Sequence, residues 1–145
     1  MPKAKRGGSL NISIANNLAG LKQGLSALGA WLESHRIGTK TVDNAHLVFE
    51  EIVNNISRYG FDDGREHAIE VIGRVNDSEL TLTFDDTGRP FDPRTQSAAK
   101  VADSLEEATI GGRGIILVRA AARRLDYERT ASGHNRLTVT LARNG

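Results

Sequence analysis

The apolar residues change period early in this chain, and that change limits its fold more than any other feature. Leu10-Asn11-Ile12-Ser13-Ile14 alternates apolar and polar, which predicts a strand. From residue 18 to about residue 33, Leu18, Leu21, Leu25, Leu28 and Leu32 recur at helical spacing and form one apolar stripe. Trp31 lies beside that stripe, placed either for the core or for a dimer surface. Gly38 is expected to close this helix, and Thr41 or Asp43 to cap the next. Ala45, Leu47, Val48, Ile52 and Ile56 mark that second helix, ending before Gly60. Residues 68–75 and 80–84 read as strands joined by Asn76-Asp77-Ser78, a hairpin turn. Residues 94–110 are mostly polar or small, without a clear period. A helix from 115 to about 122 and strands at 125–129 and 137–141 complete the chain. The pattern is α+β, with helices on one face of a mixed sheet.

The length of 145 residues suits one domain, here residues 10–143 behind a flexible basic tail at 1–9. Hydrophobic residues at 39% with 15 Gly exclude a disordered or fibrous chain. The absence of cysteine excludes a disulfide scaffold, a zinc ribbon and a thiol nucleophile. No apolar run is long enough for a membrane helix, and the basic tail lacks the apolar core of a signal peptide. A cytoplasmic protein is expected. The net charge of +1 gives no reason to expect direct contact with nucleic acid. Within it, residues 111–145 hold 7 basic and 2 acidic side chains, an excess that suits anions or an acidic partner.

Three features carry chemistry. Glu51 and Asn55 are four apart and share a helix face, with Arg58 three further on. An Asn oxygen suits Mg²⁺, and a nearby carboxylate suits a hydroxyl proton. A solvated Glu–Arg face is the other reading. Glu50 and Asn54 have the same spacing, so periodicity leaves open which pair points inward. Asp85-Asp86-Thr87-Gly88-Arg89-Pro90-Phe91-Asp92-Pro93 follows a strand. Its carboxylate either satisfies a turn or accepts from an exocyclic amino group, and its glycine either turns the chain or admits a flat ring. Gly111, Gly112 and Gly114 open the last helix, as a hinge or as a phosphate cradle. No Walker loop occurs, and Leu117 occupies the third glycine position of a dinucleotide fingerprint.

In this order the three features resemble the ATP-binding domains shared by gyrase, histidine kinases, a heat-shock chaperone and mismatch-repair ATPases, the GHKL superfamily. The resemblance runs from about residue 10 to residue 141. Within the group the chain looks most like the stand-alone anti-sigma factor serine/threonine kinases of bacterial partner switching. Leu47-Val48-Phe49-Glu50-Glu51-Ile52-Val53-Asn54-Asn55 resembles the family's first box, whose register selects Glu51 and Asn55. Asp86-Thr87-Gly88-Arg89-Pro90-Phe91-Asp92-Pro93 resembles its Asp-x-Gly-x-Pro-Phe-Asp-Pro box, and Gly112-Arg113-Gly114-Ile115 its second glycine box.

The resemblance implies a two-layer sandwich of the histidine-kinase-like ATPase fold that binds ATP and Mg²⁺. It implies that Asn55 holds Mg²⁺ and that Glu51 is the base for the attacking hydroxyl. Asp86 would read the adenine amino group, and Gly88 would give the ring room. Gly112, Arg113 and Gly114 would line the phosphates, under a lid at residues 94–111. The implied partners are an anti-sigma factor antagonist as phosphoacceptor and a sigma factor. A homodimer through the stripe around Trp31 is a candidate, as relatives form dimers. The chain departs from the pattern twice. Ile110 stands where some relatives have a basic residue, although Arg113 is close. His134-Asn135-Arg136-Leu137 stands where others begin the last strand with glycine-threonine, leaving Thr138 as a weak substitute. Ile110 motivates an alternative function, an ATP-dependent protein-interaction module without phosphoryl transfer. A histidine-kinase half is disfavoured, because the four histidines lie in no phosphoacceptor context and no dimerisation hairpin is expected.

Overall fold

The computed structural model describes residues 8–94 and 114–144. Its elements are β1 (Ser9–Ala15), α1 (Leu18–Ser34), α2 (Thr39–Asn55), β2 (Ala68–Val75), β3 (Glu79–Asp86), α3 (114–121), β4 (Arg124–Arg129) and β5 (Asn135–Ala142). A π-helical turn, Ile56–Gly60, follows α2 without a break. The strands form one sheet in the order β1-β2-β3-β5-β4. One face of it, with Leu80, Leu82, Phe84, Ile69, Val71, Leu137 and Val139, is buried in the core with the helices. Among the described residues no helix is long and apolar enough to cross a membrane.

The α+β two-layer sandwich is the one expected, but the sheet is not mixed. Every pairing is antiparallel. β4 does run parallel to β3, as its long connection through α3 allows. β5 then folds back into the slot between them, so the two parallel strands never touch.

Helix boundaries follow hydrogen bonds that the periodicity does not reveal. Asn17 caps α1, accepting from the Gly20 N–H at 2.9 Å. Gly38 does not close α1. The helix ends at Ser34, and Arg36 makes the turn in the left-handed region with φ 56°. The N–H groups of His35 and Ile37 return to the Leu32 carbonyl and that of Arg36 to Glu33. The reversal also drops Ile37 into the core. Gly38 occupies the N-cap position of α2. Thr41 and Asp43 lie inside α2 and cap nothing. Buried Thr41 instead donates to the Ala142 carbonyl at 3.0 Å, tying α2 to the end of β5.

The core joins the layers through aromatic contacts. Phe49 of α2 meets Phe84 of β3 edge-on, with centroids 5.8 Å apart. Each such fully buried side chain stabilises the fold by about 2 kcal/mol relative to exposure. Trp31 is a core residue. Its ring lies over Gly73 of β2, where a Cβ would sit 2.8 Å from the indole. It is therefore no surface anchor for a dimer.

Candidate functional site

The C-terminal end of α2 and the end of β3 meet at one corner of the sheet. The Arg89 N–H donates to the Gly60 carbonyl at 2.9 Å, which docks the π-turn on the loop after β3. Such turns commonly mark functional sites, because they re-aim side chains on the preceding helix. The structure resolves the register that periodicity leaves open. Asn55 is buried and Glu51 half-buried, whereas Glu50 is exposed. Among the described residues the Asn55 Nδ2 has no hydrogen-bond partner, an orphaned polar group in a buried position. Glu51 and exposed Arg58 form no ion pair within 4 Å, although the Arg58 charge still acts on the Glu51 carboxyl.

Asp86 ends β3 with its side chain on the helix side, only 4% exposed. Its Oδ1 accepts from the Gly88 N–H at 2.8 Å and from the Asn135 Nδ2 at 3.1 Å. Its Oδ2 has no partner among the described residues. Burial pushes the Asp86 carboxyl above its ordinary value, against the pull of the Asn135 and Gly88 hydrogen bonds. Asp85 raises it further and Arg129 opposes. Arg129 also donates to the Gly88 carbonyl at 2.7 Å. Gly88 is required by backbone contact, since a Cβ there would lie 2.7 Å from the Gly60 carbonyl oxygen.

Asn55, Asp86 and Asn135 line one cleft, walled by Ile52, Ile56, Phe84, Phe91, Tyr127 and Leu137. An apolar slot with a few convergent polar groups suits a flat heterocycle. Glu51 does not line this cleft. It lies four residues earlier on α2, about 6 Å along the axis. There it faces α3: a Cβ on Gly114 would sit 2.1 Å from the Glu51 Oε1. Burial raises the Glu51 carboxyl, Glu50 adds to this and Arg58 opposes. The structure thus brings Asn55 and Asp86 together, and Glu51 against Gly114. Gly112, Arg113, Ile110 and the expected lid from residue 95 onward lie outside the described residues.

Residues 14–141 match the histidine kinase-like ATPase domain. The chain belongs to this family. The Bordetella bronchiseptica serine/threonine-protein kinase BtrW is 35% identical over 94 residues, 65% of this chain and 66% of BtrW. The match thus falls just short of two thirds of that relative. The RsbU and RsbW domains of Rv1364c from Mycobacterium tuberculosis superpose with a TM-score of 0.64 at 16% identity. That overlap covers 94% of this chain and 33% of the other. A chain of the SiaB–SiaC complex from Pseudomonas aeruginosa gives 0.60 at 12% identity, covering 92% and 89%. At these identities the two structures share the fold.

Within this histidine kinase-like ATPase domain, one site residue escapes the motifs. Asn135 opens β5 directly opposite Asp86 in the strand pairing. Its amide reaches Asp86 and the loop that follows. Thr138 is no substitute for a missing threonine contact. It points to the opposite face of the sheet, where its Oγ1 pairs with Thr83 at 3.1 Å. The only sequence signal for Asn135 is its place at the start of the last strand.

Proposed function

We propose that this chain is an anti-sigma factor serine/threonine-protein kinase of the cytoplasm. It binds Mg-ATP, phosphorylates an anti-sigma factor antagonist and sequesters a sigma factor. The observation that carries this reading is the buried Asp86, with Oδ1 held and Oδ2 uncommitted among the described residues, in the cleft that also takes Asn55. A carboxylate oxygen so placed accepts from the exocyclic amino group of adenine. The 35% identity to a serine/threonine-protein kinase over 94 residues supports the kinase reading.

The residues fit a magnesium ion. The Asn55 amide nitrogen has no partner among the described residues, so turning the amide to present its oxygen to a hard cation breaks no hydrogen bond of that nitrogen. Among the described residues no cluster of three acidic or histidine side chains holds a metal unaided. Phosphate oxygens and water would supply the remaining ligands, and the bound ion would neutralise charge building on the triphosphate. Glu51 lies beyond Asn55, on the side of Gly114 where the γ-phosphate would point. It takes the proton of the serine or threonine hydroxyl as that oxygen bonds to phosphorus. The bond from phosphorus to the β–γ bridging oxygen breaks, and ADP leaves.

Transfer of radiolabelled phosphate from ATP to the cognate antagonist tests this. Glu51→Ala should lower the rate by about 10²- to 10⁴-fold, the usual range for a positioned base. Transfer that survives the substitution would remove Glu51 from that role. Ile110 favours the alternative of an ATP-gated interaction module. Tight binding of ATP and of the partner, with no phosphate transferred, would establish it.

A further inference from the structure

Asn135 makes more side-chain hydrogen bonds than any other amide at this corner of the sheet. Its Nδ2 donates to the Asp86 Oδ1 at 3.1 Å, to the Arg89 carbonyl at 2.8 Å and to the Gly88 carbonyl at 3.3 Å. Its Oδ1 accepts from the Tyr127 hydroxyl and from the Phe91 N–H at 3.4 Å. The partners fix which end of the amide is which. Three neighbours on one side offer only lone pairs, and both on the other side offer hydrogens. The residue is 6% exposed, so no water replaces these bonds at little cost.

This arrangement makes the two Asp86 oxygens unequal. Oδ1 is occupied by two donors. Oδ2 is left as the oxygen that meets a ligand in the cleft. An ionised carboxylate offers only acceptors, and the bond from Asn135 fixes which of its oxygens faces the ligand. The same amide holds the backbone of residues 88–91, and Phe91 and Arg89 line the cleft. A donor on the base is therefore accepted, and a carbonyl at the same position is repelled.

We infer that Asn135 is the specificity-positioning residue of the cleft: by clamping Asp86 and the 88–91 loop it sets the preference for an amino-bearing over a keto-bearing purine. This deepens the reading of the cleft as a nucleotide site and rests on it. Asn135 acts through Asp86 and touches no reacting atom.

Asn135→Thr and Asn135→Val form a matched pair for the test. Both are β-branched and suit a strand, and they differ only in a hydroxyl donor against a methyl. Affinities of the full chain for ATP and for GTP, each with Mg²⁺, are measured by calorimetric titration, with circular dichroism as the check on folding. The wild type should prefer ATP. Asn135→Val should lower the ATP:GTP affinity ratio by about tenfold, the scale of one lost bond to a charged group. Asn135→Thr should keep an intermediate ratio. A purely structural role would weaken both nucleotides equally, so Val and Thr variants that share the wild-type ratio overturn the inference and leave the nucleotide reading standing. A wild type that binds neither nucleotide overturns both.

Discussion

Asp86 carries a charge that burial disfavours, and its neighbours only partly offset that cost. A carboxyl whose folded pKa exceeds its unfolded value binds protons more readily in the folded state. Its ionised form therefore destabilises the ligand-free protein above that raised pKa, and the penalty vanishes as pH falls below the unfolded value. Asp86→Asn should thus raise ligand-free stability at pH 8 by about 1 kcal/mol, a typical exchange of function for stability. The gain should shrink at pH 5, and ATP affinity should fall at both. Denaturant unfolding at the two pH values checks the sign. The Asp86 box is legible in the sequence because its residues are contiguous and each acts locally. Asn135 is not, because its role arises from a strand pairing across 49 residues. Gly88 is legible as a glycine needed for close approach, but the approaching group is the Gly60 backbone.

At the scale of elements, α2 carries both Glu51 and Asn55, and its packing decides which of two equivalent pairs turns inward. Val48, Phe49, Ile52 and Val53 must face the core, so Asn55 is buried and Glu50 is left in solvent. Glu50 still acts on the site by raising Glu51. A base works only when ionised, so transfer should decline as pH falls through the Glu51 pKa. Glu50→Gln removes the like charge, and the acid limb of the pH–rate profile should move to lower pH. A limb that moves higher would contradict the assignment of Glu51. α3 presses Gly114 against the same carboxylate. Gly114→Ala gains about 1 kcal/mol in helix propensity but places a Cβ 2.1 Å from the Glu51 Oε1. The flexible Glu51 side chain must move aside, so kcat should fall by tenfold or more with a smaller change in KM. Apolar spacing announces α1 and α2, but not where α1 ends. That turn rests on Arg36 at φ 56° and on the burial of Ile37, neither of which a glycine marks.

At the scale of the molecule, three of the seven arginines of the basic last quarter find carboxylate partners within the chain. Arg123 pairs with Glu79 at 3.1 Å, Arg124 with Asp126 at 3.2 Å and Arg136 with Asp85 at 3.1 Å. Arg129, Arg143 and Arg119 donate to backbone carbonyls. Pairs such as Arg123–Glu79 and Arg136–Asp85 thus tie the approach to β4, and β5 itself, to β3, while Arg113 lies outside the described residues. The order of strands and helices is readable from period and turn residues. The insertion of β5 between β3 and β4 is not, because it depends on which edge each strand finds. That same insertion places Asn135 opposite Asp86 and completes the cleft. The most direct test of this account is a structure of the full chain with a non-hydrolysable ATP analogue and Mg²⁺. The account predicts the adenine amino group within hydrogen-bond distance of the Asp86 Oδ2, the ion on the Asn55 oxygen and the γ-phosphate toward Glu51. An analogue bound elsewhere, or with its phosphates at Asp86, would contradict it.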